Sequence, residues 1–376
     1  MKLIHIADTH LGRASFNKTT EDGSNLRETL IYQNFQDAIQ KIINEKPDVL
    51  VHAGDLFDTV KPKTKAYTTA LECLDWLQEA GIPLVMIAGN HDMPKTAHTV
   101  CPLEVIARSN MVHAAFSFRY QRVEIGDTMF HLVPNMLHAE DYRTAIAEVQ
   151  PSGVHNNVLV THGLASTIRD KRLSTVAEFE LTPDILLESF DYIALGHYHG
   201  MMQVGPRAWY SGSIEHLTYG EIKDMKGSLL VDPGRQEVQP FPLVSTLMED
   251  LGTIIMDGRS MDDVTDEIQF RAREYLGFDA MLQITLDYGT EPVRALPSGA
   301  LEELREDLLD LKIRVRSQET EKPVMQQQDL HAIDYLGEFP NFLQQRPMDA
   351  LKRMAVERCG VETLKTVMAE HQEETI

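Results

Sequence analysis

Five short apolar runs within residues 1–200 each end at residues that can bind a metal ion. The runs end in Asp8-Thr9-His10, Gly54-Asp55, Gly89-Asn90-His91-Asp92, Thr161-His162-Gly163 and Gly196-His197-Tyr198-His199. Apolar runs of four to eight residues bounded by glycine are typical of buried strands. In open α/β sheets, ligands bind in the crevice beyond the carboxyl ends of the strands. The pattern therefore predicts an α/β fold in which these distant residues converge.

Seven of these residues form a set that suits two divalent metal ions. They are Asp8, His10, Asp55, Asn90, His162, His197 and His199. The set mixes oxygen and nitrogen ligands and contains no thiolate, which favours such cations. One motif alone would be weak because short patterns recur by chance, but five in order indicate a site. Two metals about 3.5–4 Å apart can acidify a bridging water and stabilise the displaced oxygens of a phosphodiester. Since such a pair needs a shared carboxylate, we predict that Asp55 bridges the two ions.

Strands and helices alternate along residues 1–245, which we predict to form one α/β domain. Leu26–Asn44 and Ala66–Ala80 have apolar residues at helical spacing. The predicted buried strands are Leu3–Ala7, Val49–Ala53, Leu84–Ala88, Val158–Val160 and Tyr192–Leu195. Segments around Tyr210 and 227–231 indicate antiparallel strands that finish a second sheet.

Composition changes near Pro240-Phe241-Pro242, after which residues 246–320 are predicted to form a separate α+β capping domain. Its predicted strands are Thr253–Met256, Met281–Asp287 and Ile313–Arg316, and its predicted helices are Met261–Tyr275 and Leu301–Leu309. Residues 321–341 indicate a polar linker. Residues 342–376 have the pattern of two amphipathic helices broken at Cys359-Gly360, which either pack on their own domain or dock a partner.

Cysteine usage and hydropathy bound the compartment. The three cysteines, Cys73, Cys101 and Cys359, are widely spaced, which argues for a reducing compartment and against a disulfide framework or a zinc knuckle. The first apolar stretch is interrupted by His5 and ends at Asp8, unlike a signal peptide. No stretch approaches the length of a transmembrane helix. We therefore expect a cytoplasmic protein without a membrane partner.

The formal net charge of −22 is unusual for a protein that binds nucleic acid. Net charge bears on solubility more than on the local field at a site, and two clusters have the opposite sign. Lys61, Lys63 and Lys65 follow the Asp55 strand, and Arg169, Lys171 and Arg172 follow the His162 strand. Each cluster is either a solvated loop or a DNA contact. Arg13, beside the first motif, either meets a DNA phosphate or pairs with a nearby acid.

The order and spacing of the motifs are similar to those of the calcineurin-like metallophosphoesterases. Across approximately residues 1–230 the arrangement resembles the SbcD-type nuclease subunit of a double-strand-break repair complex. The matching pieces are Asp8-Thr-His10-Leu-Gly, Gly54-Asp55-Leu-Phe, Gly89-Asn-His-Asp92, His162-Gly, Gly196-His-x-His199 and the segment Tyr210–Glu215. The resemblance implies a two-sheet β-sandwich flanked by helices, followed by the capping domain and a C-terminal helical segment. It also implies a manganese-dependent 3′→5′ double-strand exonuclease with single-strand endonuclease activity.

The resemblance further implies how the ligands divide between the ions. One metal would be held by Asp8, His10, Asp55 and His199, and the other by Asp55, Asn90, His162 and His197. The terminal helices would bind the coiled coil of an SMC-like ATPase. The chain would form a homodimer through Leu56–Leu77 or Pro94–Arg108, although those segments could equally just cover the sheet.

His91 stands beside a predicted ligand, and the resemblance implies that it is the general acid. Archaeal and eukaryotic relatives place a histidine three residues after the bridging aspartate, where this chain and bacterial relatives have Asp58. Protein phosphatases of the same superfamily use an aspartate there to orient the catalytic histidine. We therefore predict an Asp58–His91 dyad in which the carboxylate fixes the imidazole tautomer.

Two other functions fit the same metal core. A small-molecule phosphodiesterase or protein phosphatase would suit the acidic charge, because it holds no long polyanion, but would leave the cap and terminal helices unexplained. A catalytically inactive scaffold is disfavoured, because every expected ligand type is present.

Overall fold

Two six-stranded sheets form the core of residues 1–245. The computed structural model describes residues 1–96, 99–136, 139–151, 153, 156–168, 180–181, 189–297, 299–317, 339–340, 343 and 350–373. By their contacts, Met1–Arg316 form one compact unit and Ser317–Ile376 another.

The first sheet has a parallel centre. Strands β1 (Leu3–Ile6), β2 (Val49–His52), β3 (Leu84–Ile87) and β4 (Val112–Ala115) pair in parallel and in this order. Beyond β1, strands β13 (Ser228–Asp232) and β14 (Glu237–Phe241) continue the sheet in antiparallel pairing. Both faces of the parallel strands are covered, which explains why these segments are continuous apolar runs.

The second sheet also places parallel strands at its centre. Its order is β11 (Met202–Gln203), β12 (Ala208–Tyr210), β10 (Tyr192–Gly196), β7 (Asn156–His162), β6 (Thr128–Val133) and β5 (Gln121–Ile125). The four inner strands are parallel, and the two edge strands are antiparallel. The short strands β8 (Leu164–Ala165) and β9 (Glu180–Leu181) pair separately.

Alternate residues of β1 show how the layers are packed. Leu3 belongs to the apolar cluster between the sheets, whereas Ile4 and Ile6 face the helices, because successive side chains of a strand point to opposite faces. The covering helices are α1 (Leu26–Glu45) and α2 (Thr64–Glu79), with α3 (Leu103–Ile106) after β3 and α4 (Ala139–Ala147) after β6. The predicted two-sheet sandwich flanked by helices is thus confirmed.

The two ends of helix α1 show why the sequence is helical where it is. The Asn25 side chain accepts a hydrogen bond from the Glu28 amide at the N-terminus, and Lys46 adopts a left-handed conformation at the C-terminus. Asn25 therefore satisfies one of the free amides of the first turn.

Residues 246–317 contain a three-stranded sheet with its own apolar core. Strands β15 (Met248–Ile255), β16 (Met281–Gly289) and β17 (Asp310–Ser317) are covered by α5 (Met261–Ala272) and α6 (Glu302–Asp307). We call this region the cap. Met248, Met281 and Leu309 pack with Tyr219, so the cap shares a small apolar cluster with the two-sheet region. The domain boundary at residue 245 stays a prediction.

Within the described part of the C-terminal unit, Ala350–Glu373 form a continuous helix, α7, so the predicted break at Cys359-Gly360 is wrong. A glycine inside a helix costs about 1 kcal/mol relative to alanine but does not by itself end the helix. A Cβ atom at Gly360 would lie 2.3 Å from the Phe339 ring, so glycine permits this close packing. The predicted linker and Phe342 lie largely outside the described residues. Within the described chain, no helix is both long and apolar enough to span a bilayer.

Candidate metal centre

Four of the predicted ligands have an unusual backbone conformation. Asp8, His10, Asp55 and His197 have φ values of +52°, +46°, +57° and +103°. Residues other than glycine rarely adopt positive φ, and each such residue costs about 1–3 kcal/mol. These conformations turn the chain sharply just past the strand ends. Asp8, His10 and Asp55, which follow strands of the first sheet, thereby lie close to residues that end or follow strands of the second.

Glycines beside the ligands allow the strand ends to approach each other closely. A Cβ atom at Gly54 would lie 2.4 Å from His162 Nδ1, and one at Gly89 would lie 2.2 Å from Asp55 Oδ1. At Gly196 it would lie 2.1 Å from the Ala53 carbonyl oxygen. The repeated glycine of the sequence motifs is therefore a requirement of packing at the site.

The first group of predicted ligands contains two facing imidazoles. His10 Nε2 and His199 Nε2 are 3.3 Å apart. His199 Nδ1 donates a hydrogen bond to Glu221 Oε1 at 3.1 Å, which leaves the lone pair of its Nε2 directed at His10. Ligand atoms of Asp8, His10 and His199 lie within 4.8 Å of one another. Two imidazole nitrogens and a carboxylate at this spacing suit a divalent cation, so these residues fit a metal.

The second group is arranged around Asn90. The Asn90 Oδ1 atom lies 2.9 Å from His162 Nε2 and 3.1 Å from His197 Nδ1. His162 Nδ1 donates to the Ala53 carbonyl oxygen at 2.9 Å, so its Nε2 is the nitrogen available to a metal. His162 Nε2 is also 3.4 Å from Asp55 Oδ2. The second set of donor atoms is therefore also convergent.

Asp55 stands between the two groups. Its Oδ2 lies 3.8 Å from His10 Nε2 in addition to the contact with His162. Burial acts to raise the pKa of Asp55, but His162 and His10 lower it well below its usual value. Burial acts to lower the pKa of His162, but Asp55 and Asp8 raise it from 6.5 to about 9. Asp55 is thus an ionised carboxylate that both groups share.

Comparison with known proteins adds to this geometry. Residues 1–201, more than half of the chain, match the family described as calcineurin-like phosphoesterase. The chain belongs to this family. The family resemblance inferred from the strand-end motifs is confirmed.

Named relatives of this phosphoesterase are repair proteins and a nuclease. It is 32% identical over 245 residues to the DNA double-strand break repair protein Mre11 of Methanopyrus kandleri, covering 61% of this chain and 52% of the relative. Identity to the Mre11 protein of Sulfurisphaera tokodaii is 30%, covering 61% and 59%. Identity to the SbcD component of the nuclease SbcCD from Staphylococcus saprophyticus is 27% over 304 residues, covering 74% and 77%. The matches thus span only 52–59% of the two Mre11 relatives.

Glu221 and Lys226 both contact the predicted ligand His199, although no sequence pattern marks them. The Glu221 carboxylate accepts hydrogen bonds from His199 Nδ1, from Lys226 Nζ at 2.7 Å and from the Leu217 amide at 3.0 Å. Burial acts to raise the pKa of Glu221, but His199 and Lys226 lower it far below its usual value. Glu221 therefore fixes the imidazole of His199 as a carboxylate behind a metal-ligating histidine does.

Asp92 is a third residue whose role the sequence does not reveal. Its buried carboxylate accepts from the amides of Leu56, Phe57 and Gly89 at 3.0, 2.9 and 3.2 Å. Burial and the charge of Asp55 raise the pKa of Asp92 to about 7, against the effect of the amides. Asp92 joins the segment after β2 to the segment after β3, and so fixes Asp55 relative to Asn90.

Asp58 contacts His91 as predicted, but through its main chain; the predicted use of its carboxylate is wrong. His91 Nδ1 lies 2.7 Å from the main-chain carbonyl oxygen of Asp58. The carboxylate instead accepts from Arg13 at 3.2 Å and lies 3.2 Å from His10 Nδ1. The guanidinium charge draws it there, and these two partners lower the pKa of Asp58 although burial acts to raise it. The carbonyl can fix the imidazole tautomer in place of the carboxylate.

The residues predicted to contact DNA differ in their partners and exposure. Arg13 pairs with Asp58, which is the second of its two predicted roles. Lys61 is exposed, and Lys63 is 61% exposed with its Nζ 2.5 Å from Glu28 Oε2. Arg169, with Lys171 and Arg172, lies outside the described residues.

Proposed function

We propose that this phosphoesterase is a two-metal DNA nuclease that acts in double-strand-break repair together with an SMC-like ATPase. The activities are 3′→5′ exonuclease on double strands and endonuclease on single strands. The observation that carries the proposal is the convergence of two sets of ligand atoms on Asp55. The named relatives supply the substrate class, because their names describe DNA repair and nuclease proteins.

Asp8, His10, Asp55 and His199 would hold one metal, and Asp55, Asn90, His162 and His197 the other. The ions are divalent and most suitably Mn²⁺, which accepts carboxylate and imidazole ligands. A bound pair supplies a strong nucleophile at neutral pH and neutralises charge on the phosphoryl oxygens.

His91 is the general acid in this proposal. Its amide donates to Asp55 Oδ1 at 2.8 Å, so the imidazole is anchored to the bridging carboxylate through its own backbone. Its Nδ1 is engaged by the Asp58 carbonyl oxygen, which leaves Nε2 to give a proton to the departing oxygen. Asp58 assists by holding His91 with its main chain and His10 with its carboxylate.

DNA binding would be shared between this chain and its partner. Because Arg13 is paired with Asp58, the phosphates at the rim would be met by Lys61, Lys63 and Arg169. The ATPase would bind the C-terminal segment 342–376 and contribute most of the affinity for DNA. This division reconciles the net charge of −22 with a polyanionic substrate. The cytoplasm is the proposed compartment.

A homodimer is also part of the proposal. Leu71 of α2 is 38% exposed, and Val100 and Val105 of the 94–108 segment are 65% and 42% exposed. These apolar side chains suit a contact between two copies. Within the described part of 94–108, the helix is limited to Leu103–Ile106, so α2 is the better dimer element.

A 5′-labelled duplex digested in the presence of Mn²⁺ tests the proposal. A ladder that shortens from the 3′ end, lost in both Asp55→Ala and His91→Leu and kept in the exposed-site control Asp257→Ala, is the expected result. Intact DNA beside rapid hydrolysis of a chromogenic phosphodiester would instead support the alternative suggested by the acidic charge, a small-molecule phosphodiesterase or protein phosphatase. Repeating the digestion with the ATPase partner separates that alternative from a nuclease that needs the complex.

A further inference from the structure

The segment Leu217–Lys226 connects the cap to the metal centre. Its middle is a single 3-10 turn, Tyr219–Glu221. Tyr219 faces the cap at one end of this turn, and Glu221 faces His199 at the other. Two side chains separated by one residue therefore contact two different parts of the molecule.

Tyr219 is held by main-chain and side-chain atoms of the cap. Its hydroxyl lies 2.8 Å from Asp310 Oδ2 of β17 and 3.1 Å from the Leu282 carbonyl oxygen of β16. Lys312 Nζ lies 4.9 Å from the centre of its ring. The ring packs in the cluster with Met248, Met281 and Leu309 and is 8% exposed.

Glu221 transmits that position to the imidazole of His199. The turn is short and closed by a hydrogen bond from the Glu221 amide to the Thr218 carbonyl oxygen at 3.0 Å, so a displacement of Tyr219 moves Glu221 with it. Lys226, whose side chain is 3% exposed, fixes the carboxylate from behind and also donates to the His199 carbonyl oxygen at 2.9 Å. His199 Nδ1 has its partner only while Glu221 keeps this place.

We propose that Tyr219 is a positioning residue through which docking of the cap orients the metal ligand His199. The inference rests on the proposed function, since it requires that His199 bind a metal. The cap thus contributes to metal affinity without supplying a ligand, and cap docking and metal binding stabilise each other.

Calorimetric titration of the full chain with Mn²⁺ tests this role. Tyr219→Phe removes the hydroxyl and keeps the ring. We expect Mn²⁺ binding at one of two sites to weaken about tenfold. This is the low end of the loss seen when a hydrogen-bond partner of a metal-ligating residue is removed. Tyr288→Phe is the matched control, because Tyr288 is also buried, in β16, and its hydroxyl donates to the Arg294 carbonyl oxygen inside the cap. Asp310→Asn keeps an acceptor oxygen and should retain affinity, whereas Asp310→Ala should not.

A second measurement requires no metal. In ¹⁵N spectra of the histidine side chains, assigned with His199→Gln, His199 should be protonated at Nδ1 in the unsubstituted chain and in Tyr288→Phe. Tyr219→Phe should give a mixture of tautomers. Equal Mn²⁺ affinity and equal spectra for the two tyrosine variants would overturn the inference while leaving the metal site intact. An unsubstituted chain that binds no divalent ion would overturn the proposed function and the inference with it.

Discussion

Asp58 contacts His91 with its main-chain carbonyl oxygen, 2.7 Å from His91 Nδ1. The tautomer of His91 therefore depends on the course of the backbone after Phe57 and not on the charge of the Asp58 side chain. The carboxylate acts elsewhere, on His10 and Arg13. The two parts of Asp58 can be separated by substitution.

Asp58→Asn should weaken Mn²⁺ binding several-fold and leave the pH dependence of cleavage at saturating metal unchanged. The carbonyl that orients His91 is retained, whereas the negative charge beside His10 is lost. Cleavage rates at increasing Mn²⁺ concentration measure both effects. The part of the pH–rate profile that reports the general acid is the test at saturating metal. If Asp58→Asn shifted it, the Asp58 carboxylate would after all act on His91.

Gly196→Ala should destabilise the protein by about 1–3 kcal/mol, because the new Cβ atom would lie 2.1 Å from the Ala53 carbonyl oxygen. The strand ends would have to separate, so metal binding should fall as well. Urea denaturation gives the free energy of unfolding. Gly153→Ala is the control, since its Cβ atom would meet no atom within 4 Å. Equal stability of the two variants would show that the close approach is not required.

Asp92→Ala should reduce the free energy of unfolding by about 2–5 kcal/mol. Three buried amides lose their acceptor, and each unsatisfied group costs about 1–3 kcal/mol before relaxation. Asp92→Asn keeps one acceptor oxygen and should lose less. Denaturant titrations of both variants, with Asp257→Ala as an exposed carboxylate control, test this. A loss below about 1 kcal/mol for the alanine variant would contradict it.

The pKa of His162, raised from 6.5 to about 9 mainly by Asp55 against the effect of burial, predicts a proton-linked metal site. Because the folded pKa lies above the unfolded value, its stabilising contribution to the metal-free protein is complete below pH 6.5 and lost as pH rises through 9. A metal needs the neutral imidazole, so binding releases the proton. The melting-temperature increase caused by Mn²⁺ should therefore grow from pH 6.5 to 9. Calorimetry in buffers of different ionisation enthalpy should detect the released proton at about pH 7. If as many protons were released above about pH 9 as at about pH 7, His162 would not be their source.

The parts of the site that the sequence predicts are those that depend on strand position. Asp8, Asp55 and His162 stand where apolar runs end, and parallel pairing brings such ends together regardless of loop details. Glu221 could not be predicted from the sequence. It lies 22 residues after His199 and contacts it only because of how its turn packs. The atom by which Asp58 contacts His91 likewise depends on local backbone geometry.

Gly360 illustrates the same limit in a helix. A glycine at this position predicts the end of a helix. In the structure, the Phe339 ring occupies the space that a side chain at residue 360 would need. The tertiary contact accounts for the glycine, and the helix continues through it.

The positive φ values of Asp8, His10, Asp55 and His197 mean that the polypeptide meets the cost of assembling these ligands when it folds. An incoming ion then finds its donors already arranged, so little reorganisation accompanies its arrival or departure. Preorganised donors raise affinity because less freedom is lost on binding, so the sites should stay occupied at low concentrations of the ion. Strain in the metal-free backbone would in this way favour retention of the metal pair.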